Sequence, residues 1–142
     1  MPKLVIIYGS GFGNTGIMAK AIEEGAKSSG VDVIIKPILD AMPEDVIDAD
    51  AIAIGTPTYK AAAMPGIVNF VKKLPVSSLK GKVGAAFGSY GWSGEGAGII
   101  SEMLKSYGMD MVEPNLRIKR TPEGEGVEVC RELGKLLADK IK

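Results

Sequence analysis

The chain has 142 residues, of which 46% are hydrophobic, enough to bury the core of one domain without disulfides or a structural metal. Its 17 basic and 17 acidic residues cancel, so the charge gives no indication of binding to nucleic acid or to an anionic membrane surface. The chain has no histidine and a single cysteine, which excludes histidine-based triads, histidine metal sites and intrachain disulfides.

Five apolar, β-prone runs follow one another along the chain. The first is nearly unbroken, which indicates a strand buried on both faces. Pro114 in the last run cannot donate to a sheet hydrogen bond, which favours an edge position for that strand. The predicted strands are Lys3–Tyr8, Val31–Ile38, Ala51–Gly55, Lys82–Phe87 and Met109–Lys119.

Apolar residues at helical spacing lie between these strands. Gly30 suits the residue after a helix end, and Pro43 and Pro65 suit first helical turns. The predicted helices are Asn14–Ser29, Met64–Leu74, one that follows Gly94, and Val127–Ile141. The helix after Gly94 has an apolar side made of Ile99, Ile100, Met103, Leu104 and Tyr107. The last helix is expected to face inward with Val129, Cys130, Leu133, Leu136 and Leu137. Cys130 is therefore interpreted as an inert core residue.

This alternation predicts a doubly wound α/β fold, with a five-stranded parallel sheet, right-handed crossovers and helices on both faces. We expect the strand order 2-1-3-4-5. Since no linker or repeat interrupts the pattern, we expect a single domain over residues 1–142. Ligands of such sheets bind at the carboxyl ends of the strands where the order reverses. Strands one, three and four are neighbours there, so the loops that follow them should meet.

The loop after the first strand is rich in glycine and leads into a helix, an arrangement that binds anions. Gly11, Gly13 and Gly16 match the spacing of a dinucleotide fingerprint, but Lys36 stands near the position where that fingerprint needs an acidic residue. No lysine follows the glycines, as a Walker phosphate loop requires. A plain capped turn is the alternative to an anion site. The predicted phosphomonoester contacts are Ser10, Gly11, Phe12, Gly13, Asn14 and Thr15.

The loops after the third and fourth strands contain aromatic side chains. Pro57 stiffens the second loop, where Tyr59 offers a flat face. Trp92, the only tryptophan, lies between glycines in the third loop and is not placed for core packing. These rings suit a planar, stacking ligand, although a surface turn with a partly buried Tyr59 and a tryptophan folded onto its own loop are the alternatives. The predicted ring contacts are Thr56, Pro57, Thr58, Tyr59, Lys60, Ser89, Tyr90, Gly91, Trp92 and Gly94.

Three segments in order, Ser10-x-x-x-Asn14-Thr15, Gly55–Tyr59 and Phe87–Gly94, resemble the flavodoxin family. The third most resembles the flavodoxin-like domain of flavodiiron (A-type) flavoproteins, here expected as a stand-alone domain. The resemblance implies non-covalently bound FMN, with its phosphate in the first loop and its isoalloxazine ring near Tyr59 and Trp92. Flavodoxins are usually strongly acidic, whereas this chain is neutral. A neutral chain favours a less negative potential for the reduction that leaves the flavin anionic.

The predicted function is an FMN-binding electron carrier that passes electrons between redox partner proteins and uses no catalytic side chain or metal. The alternative at the same site is an FMN-dependent NAD(P)H or quinone reductase. A flavin-free signalling domain of the same fold is disfavoured, since Gly9-Ser10 stands where receiver-type domains carry acids. No apolar run approaches the ~18 residues of a membrane-spanning helix and no signal peptide is recognisable. We therefore expect a cytoplasmic monomer or weak homo-oligomer, with no membrane or nucleic-acid partner.

Overall fold

The computed structural model describes residues 2–9, 13–59, 62–91 and 94–142. The strands are β1 (Lys3–Tyr8), β2 (Asp32–Pro37), β3 (Ala51–Gly55), β4 (Thr58–Tyr59), β5 (Ala62–Ala63), β6 (Val83–Tyr90), β7 (Asp110–Met111) and β8 (Leu116–Lys119). The α-helices are α1 (Asn14–Ser28), α2 (Pro65–Lys72), α3 (Glu95–Ser106) and α4 (Glu125–Ile141). Short 3₁₀ turns are Ile38–Asp40, Pro43–Val46 and Val76–Ser78. None of the helices in these ranges is long and apolar enough to cross a membrane.

The main sheet has the order β2-β1-β3-β6, and β7 and β8 both pair with β6. All of these pairings are parallel. The predicted order 2-1-3-4-5 and the edge position of the last strand are confirmed. The predicted strand Met109–Lys119 is wrong in one respect, because it consists of two short strands. Pro114 lies between them and has no N–H for the ladder.

The carboxyl ends of three central strands lie level with one another. In the ladder Tyr8 is opposite Gly55, and Gly55 is opposite Phe87. The backbone continues this pairing beyond the strands, because Gly9 N–H donates to Gly55 O at 3.0 Å and Thr56 N–H donates to Phe87 O at 3.0 Å. The loops after β1, β3 and β6 therefore begin side by side at one edge of the sheet.

Two hydrophobic cores cover the two faces of the sheet. Helices α2 and α3 contribute to one core with side chains such as Ile67 and Ile100, and α1 and α4 contribute to the other with side chains such as Ile22 and Leu137. Cys130 is fully buried in the second core, and burial raises the pKa of its thiol to about 11. The thiol therefore stays protonated near neutral pH, as an inert core residue should.

The predicted inward direction is wrong for three side chains. Val129 and Leu136 are each 43% exposed, and Ile99 is 37% exposed. Helix α4 meets α1 through small residues, and this close approach directs Cys130, Gly134, Leu137 and Ala138 inward. Val129 and Leu136 lie on the flank of α4 instead, along a groove of about 300 Å³ beside residues 112–116.

Two local elements differ from the sequence prediction near the site. The fourth predicted strand continues to Tyr90, so Ser89 and Tyr90 lie on β6 rather than in a loop. Its last four residues pair with β8, a long-range contact that local sequence does not show. The hairpin of β4 and β5, which begins in the predicted second loop and ends just before the predicted helix Met64–Leu74, was not predicted.

Candidate cofactor site

Helix α1 begins at the predicted phosphate loop. Gly13 is the N-cap residue and has a left-handed conformation with φ 87°, which glycine adopts without strain. Among the described residues, no side chain caps this helix, and its first turn contains no acidic residue. The positive end of the helix dipole fits a phosphate group. Ser10, Gly11 and Phe12, which were predicted to complete the loop, lie outside the described residues.

Thr15 and Ser89 join the first and third loops. Thr15 is fully buried, and its Oγ1 lies 2.8 Å from the Oγ of Ser89, a residue 74 positions away. The Ser89 N–H also donates to Thr15 Oγ1 at 3.4 Å. A predicted phosphate contact and a predicted ring contact are therefore bonded directly to each other. The pair fixes the start of α1 against the end of β6.

The threonine hydroxyls of the second loop form hydrogen bonds with backbone groups of the protein. Thr56 Oγ1 accepts the Met64 N–H at 2.8 Å and donates to Pro57 O at 2.9 Å. Thr58 Oγ1 accepts the Gly96 N–H at 2.8 Å, which satisfies one donor at the N-terminus of α3. Both threonines therefore position the loop between α2 and α3. The ring contacts predicted for this loop stay predictions, and Lys60 and the side chain of Tyr59 are not described.

The end of β6, which leads into the third loop, packs closely against the second loop. A Cβ atom on Gly88 would collide with the Thr56 carbonyl oxygen, so glycine is required where β6 passes the second loop. The Arg117 side chain also contacts this region, with Nη1 3.4 Å from Gly94 O. Gly91 is exposed and Tyr90 half-buried, while Trp92 and Ser93 lie outside the described residues.

Sequence reasoning missed Gly88 and Arg117 as parts of this region. A glycine inside a strand pattern was the one available sign of the close backbone approach at Gly88. The local sequence around Arg117 does not indicate that it lies near the site, because its proximity to Gly94 depends on the pairing of β8 with β6.

A cleft of about 690 Å³ lies beside the first loop. Its walls come from the end of β1, the first turns of α1 and the segment that follows β2, and they include Tyr8, Gly13, Ile17, Lys20, Pro37 and Leu39. Since β2 and β3 flank β1 on opposite sides, this cleft lies on the side of the first loop away from β3. It is therefore distinct from the predicted ring site between the second and third loops.

A family model for flavodoxin matches residues 6–134 of the chain. The chain belongs to the flavodoxin family. FMN is the cofactor of this family, so the family, the fold and the cofactor predicted from the sequence are confirmed. This flavodoxin-family protein is accordingly a flavoprotein.

Curated relatives of this flavodoxin-family chain are longer proteins. The type A flavoprotein fprA of Rhodobacter capsulatus is 40% identical over 97% of the chain and 33% of its own length. The nitric oxide reductase of Moorella thermoacetica is 33% identical over 98% of the chain and 36% of its own length. The chain thus spans about one-third of the length of these relatives.

Solved structures of similar length share the fold. A flavodoxin from the domain Archaea superposes with a TM-score of 0.94 at 38% identity and covers 98% of both chains. The two-electron reduced flavodoxin of Megasphaera elsdenii gives a TM-score of 0.82 at 33% identity over 96% of this chain and 98% of its own.

Proposed function

We propose that this protein is an electron carrier that binds FMN with its phosphate at the N-terminus of α1 and its ring between the second and third loops. One observation carries the proposal: the ends of β1, β3 and β6 are hydrogen-bonded side by side, with the N-terminus of α1 beside them. Bound FMN supplies one- and two-electron chemistry at its isoalloxazine ring. The chain itself binds, orients and shields the cofactor as a single domain over residues 1–142, in the cytoplasm.

Neutral groups bind the phosphate in this proposal. No lysine or arginine occurs between residues 9 and 16, so backbone N–H groups, hydroxyls and the helix dipole provide the attraction. The proposed phosphate contacts are Ser10, Gly11, Phe12, Gly13, Asn14 and Thr15. The proposed ring contacts are Thr56, Pro57, Thr58, Tyr59, Lys60, Ser89, Tyr90, Gly91, Trp92 and Gly94.

Electron transfer by the loaded protein tests the proposed function against the reductase alternative. The holoprotein is photoreduced without oxygen and mixed with cytochrome c, and oxidised holoprotein is separately mixed with NADPH or NADH. We expect stoichiometric reduction of the haem and no steady-state consumption of nicotinamide. Catalytic NAD(P)H oxidation without an added reductase would favour the reductase, and a chain that cannot be loaded with FMN would contradict the proposal.

Thr15→Ala is expected to weaken FMN binding by about 1–3 kcal/mol, because it removes a buried hydroxyl and leaves the Ser89 hydroxyl without that partner. Asn14→Ala is expected to have an effect of similar size, about 1–3 kcal/mol, if its side chain donates to the phosphate. The dissociation constant is measured by quenching of FMN fluorescence during titration of the apoprotein.

The matched control for this pair is Thr121→Ala, which removes an exposed hydroxyl outside the site. It should leave the FMN dissociation constant unchanged. Wild-type affinity in both Thr15→Ala and Asn14→Ala would overturn the phosphate assignment.

The potential of the reduction that leaves the flavin anionic is expected to be less negative than in strongly acidic flavodoxins. The net charge of this chain is zero, so it lacks the repulsion that an acidic surface exerts on an anionic ring. An anaerobic redox titration with mediator dyes measures the potential. A value as negative as that of strongly acidic flavodoxins would refute this expectation.

A further inference from the structure

We propose that the outer edge of the sheet beside the third loop is a docking surface for an acidic electron-carrier protein. The surface consists of Arg117, Lys119 and Arg120 and is called the basic edge below. This inference rests on the proposed function, because it assigns the kind of partner that exchanges electrons at the flavin. It does not depend on which of the predicted residues contact the ring.

The zero net charge of the chain conceals a local concentration of positive charge. Residues 116–120 read Leu-Arg-Ile-Lys-Arg and contain three basic residues and no acid. All three basic residues are exposed, and within the described ranges none of them forms an ion pair. The next acidic residues along the chain, Glu123 and Glu125, form no ion pair with them there. The charge of the basic edge is therefore not neutralised by contacts seen in the structure.

Several other basic residues are ion-paired, whereas within the described ranges Lys72, Lys73 and Lys80 are not, so the basic edge is distinguished by its place beside the proposed ring site. The Lys36 ammonium lies 3.1 Å from Asp45, and the Lys27 ammonium lies 3.2 Å from Glu23. Arg131 contacts Glu128 at 3.1 Å. These ion pairs reduce the field that each cation projects into solvent. Exposed cations without such a partner project more of their field outward.

Strand β8 places the basic edge next to the proposed ring site. It pairs with the last four residues of β6, from Phe87 to Tyr90. The Arg120 N–H donates to Tyr90 O at 2.6 Å, and Arg117 Nη1 approaches Gly94 O at 3.4 Å. Arg117 and Arg120 thus contact the two ends of the segment that contains Trp92. Positive charge therefore lies beside the loop proposed to contact the flavin ring.

The direction of these side chains follows from strand geometry. Leu116 and Ile118 are half-buried against the core beneath α1 and α4. Because alternate residues of a strand point to opposite faces, Arg117 and Lys119 project away from that core. Both side chains are exposed, and Arg117 reaches the surface next to Gly94, whose carbonyl oxygen it contacts.

Charge complementarity selects the occupant of this surface. A group of exposed cations raises the encounter rate and favours the orientation of a partner with an acidic surface. A basic partner is repelled at the same place. The simpler explanation is that the charges protect an edge strand against pairing with another chain. That explanation predicts aggregation of charge-neutralised variants without a selective change in electron-transfer rate, so kinetics separate the two.

The test compares two probes that share one haem and differ in charge: native cytochrome c, which is basic, and fully succinylated cytochrome c, which is acidic. Photoreduced holoprotein is mixed with each probe in a stopped-flow instrument at low and high salt. For wild type we expect the rate with the acidic probe to fall as salt is added. In R117Q/K119Q/R120Q the low-salt rate with the acidic probe should drop by about tenfold or more, while the rate with the basic probe does not fall.

The matched control is K72Q/K73Q/K80Q, which removes the same number of charges. These three lysines are exposed, and they lie at the end of α2 and before β6, near the opposite end of the sheet. The control should change the acidic-probe rate by less than about twofold, since its charges are distant from the proposed ring site. Equal rates in the two triple variants, or an unchanged rate in the basic-edge variant, would overturn the proposal.

One further variant and one further measurement distinguish the possible outcomes. K119E reverses a single exposed charge and should slow the acidic probe in the same direction, so the test survives if the triple variant aggregates. FMN affinity and the absorption spectrum should match wild type in K119E and in K72Q/K73Q/K80Q, because none of their substituted residues is assigned to the cofactor site. R117Q/K119Q/R120Q is compared with them only when fully loaded with FMN, since Arg117 contacts Gly94 O. A wild-type protein that binds no FMN would reject the proposed function itself, whereas FMN-loaded variants with unchanged kinetics would reject only the docking surface.

Discussion

Replacing Gly88 by alanine is expected to lower the free energy of unfolding by about 3 kcal/mol and to weaken FMN binding about tenfold or more. The new Cβ would collide with the Thr56 carbonyl oxygen, a backbone atom. Thr56 cannot move aside freely, because its N–H bonds to Phe87 and its hydroxyl accepts the Met64 N–H. The second and third loops must therefore separate. Urea unfolding of the apoprotein and an FMN titration measure the two effects.

Gly66→Ala is the matched control for that substitution. A Cβ atom on Gly66 would meet no atom within 4 Å, and the residue lies in the first turn of α2. Replacement of an unhindered helical glycine by alanine is neutral or stabilising by up to about 1 kcal/mol. If Gly88→Ala unfolded at the same urea concentration as Gly66→Ala and bound FMN equally well, the close contact between the two loops would be refuted.

Gly134→Ala is expected to lower the free energy of unfolding by about 3 kcal/mol while leaving FMN affinity close to wild type. A Cβ on Gly134 would collide with the Ile22 carbonyl oxygen, and one on Gly25 would collide with the Arg131 carbonyl oxygen. Helices α1 and α4 therefore cross with their backbones in contact, and one methyl group must push them apart. Gly25 lies about three turns from the N-terminus of α1, so the phosphate site should be preserved.

Gly126→Ala provides the comparison within α4. Its Cβ would stand 3.6 Å from the Ile118 side chain, which is an ordinary van der Waals contact. Stability should therefore change little or increase, as measured by urea unfolding. If Gly126→Ala lost as much stability as Gly134→Ala, the close contact between α1 and α4 would not explain the destabilisation by Gly134→Ala.

The central strands could be predicted from the sequence because their residues depend on burial alone. Every residue of β3 is buried, and its apolar run has the bounds Ala51–Gly55 in both the prediction and the structure. Alternation with helices predicted a parallel sheet with right-handed crossovers, whereas the expected order 2-1-3-4-5 is one of the common orders of doubly wound sheets. The family resemblance rested on three short segments, and the match over residues 6–134 confirms it.

The errors arose where a residue depends on a partner far along the chain. Ser89 and Tyr90 were assigned to a loop because the pairing of β6 with β8 is not visible locally. The bond between the Thr15 hydroxyl and Ser89 was likewise not predicted, and the contact of Thr15 with a phosphate stays a prediction. Sequence shows that a threonine can donate and accept, but only the fold shows with which atom.

Titration of the apoprotein with FMN and, separately, with riboflavin tests the central claim most directly. Riboflavin carries the same ring without the phosphate, so it isolates the contribution of the loop at the N-terminus of α1. We predict one FMN bound per chain, with quenched flavin fluorescence and riboflavin binding weaker by about a hundredfold, as loss of charge-assisted hydrogen bonds of about 1.5–3 kcal/mol each implies. Binding of riboflavin as tightly as FMN, or no binding of either, would contradict the account.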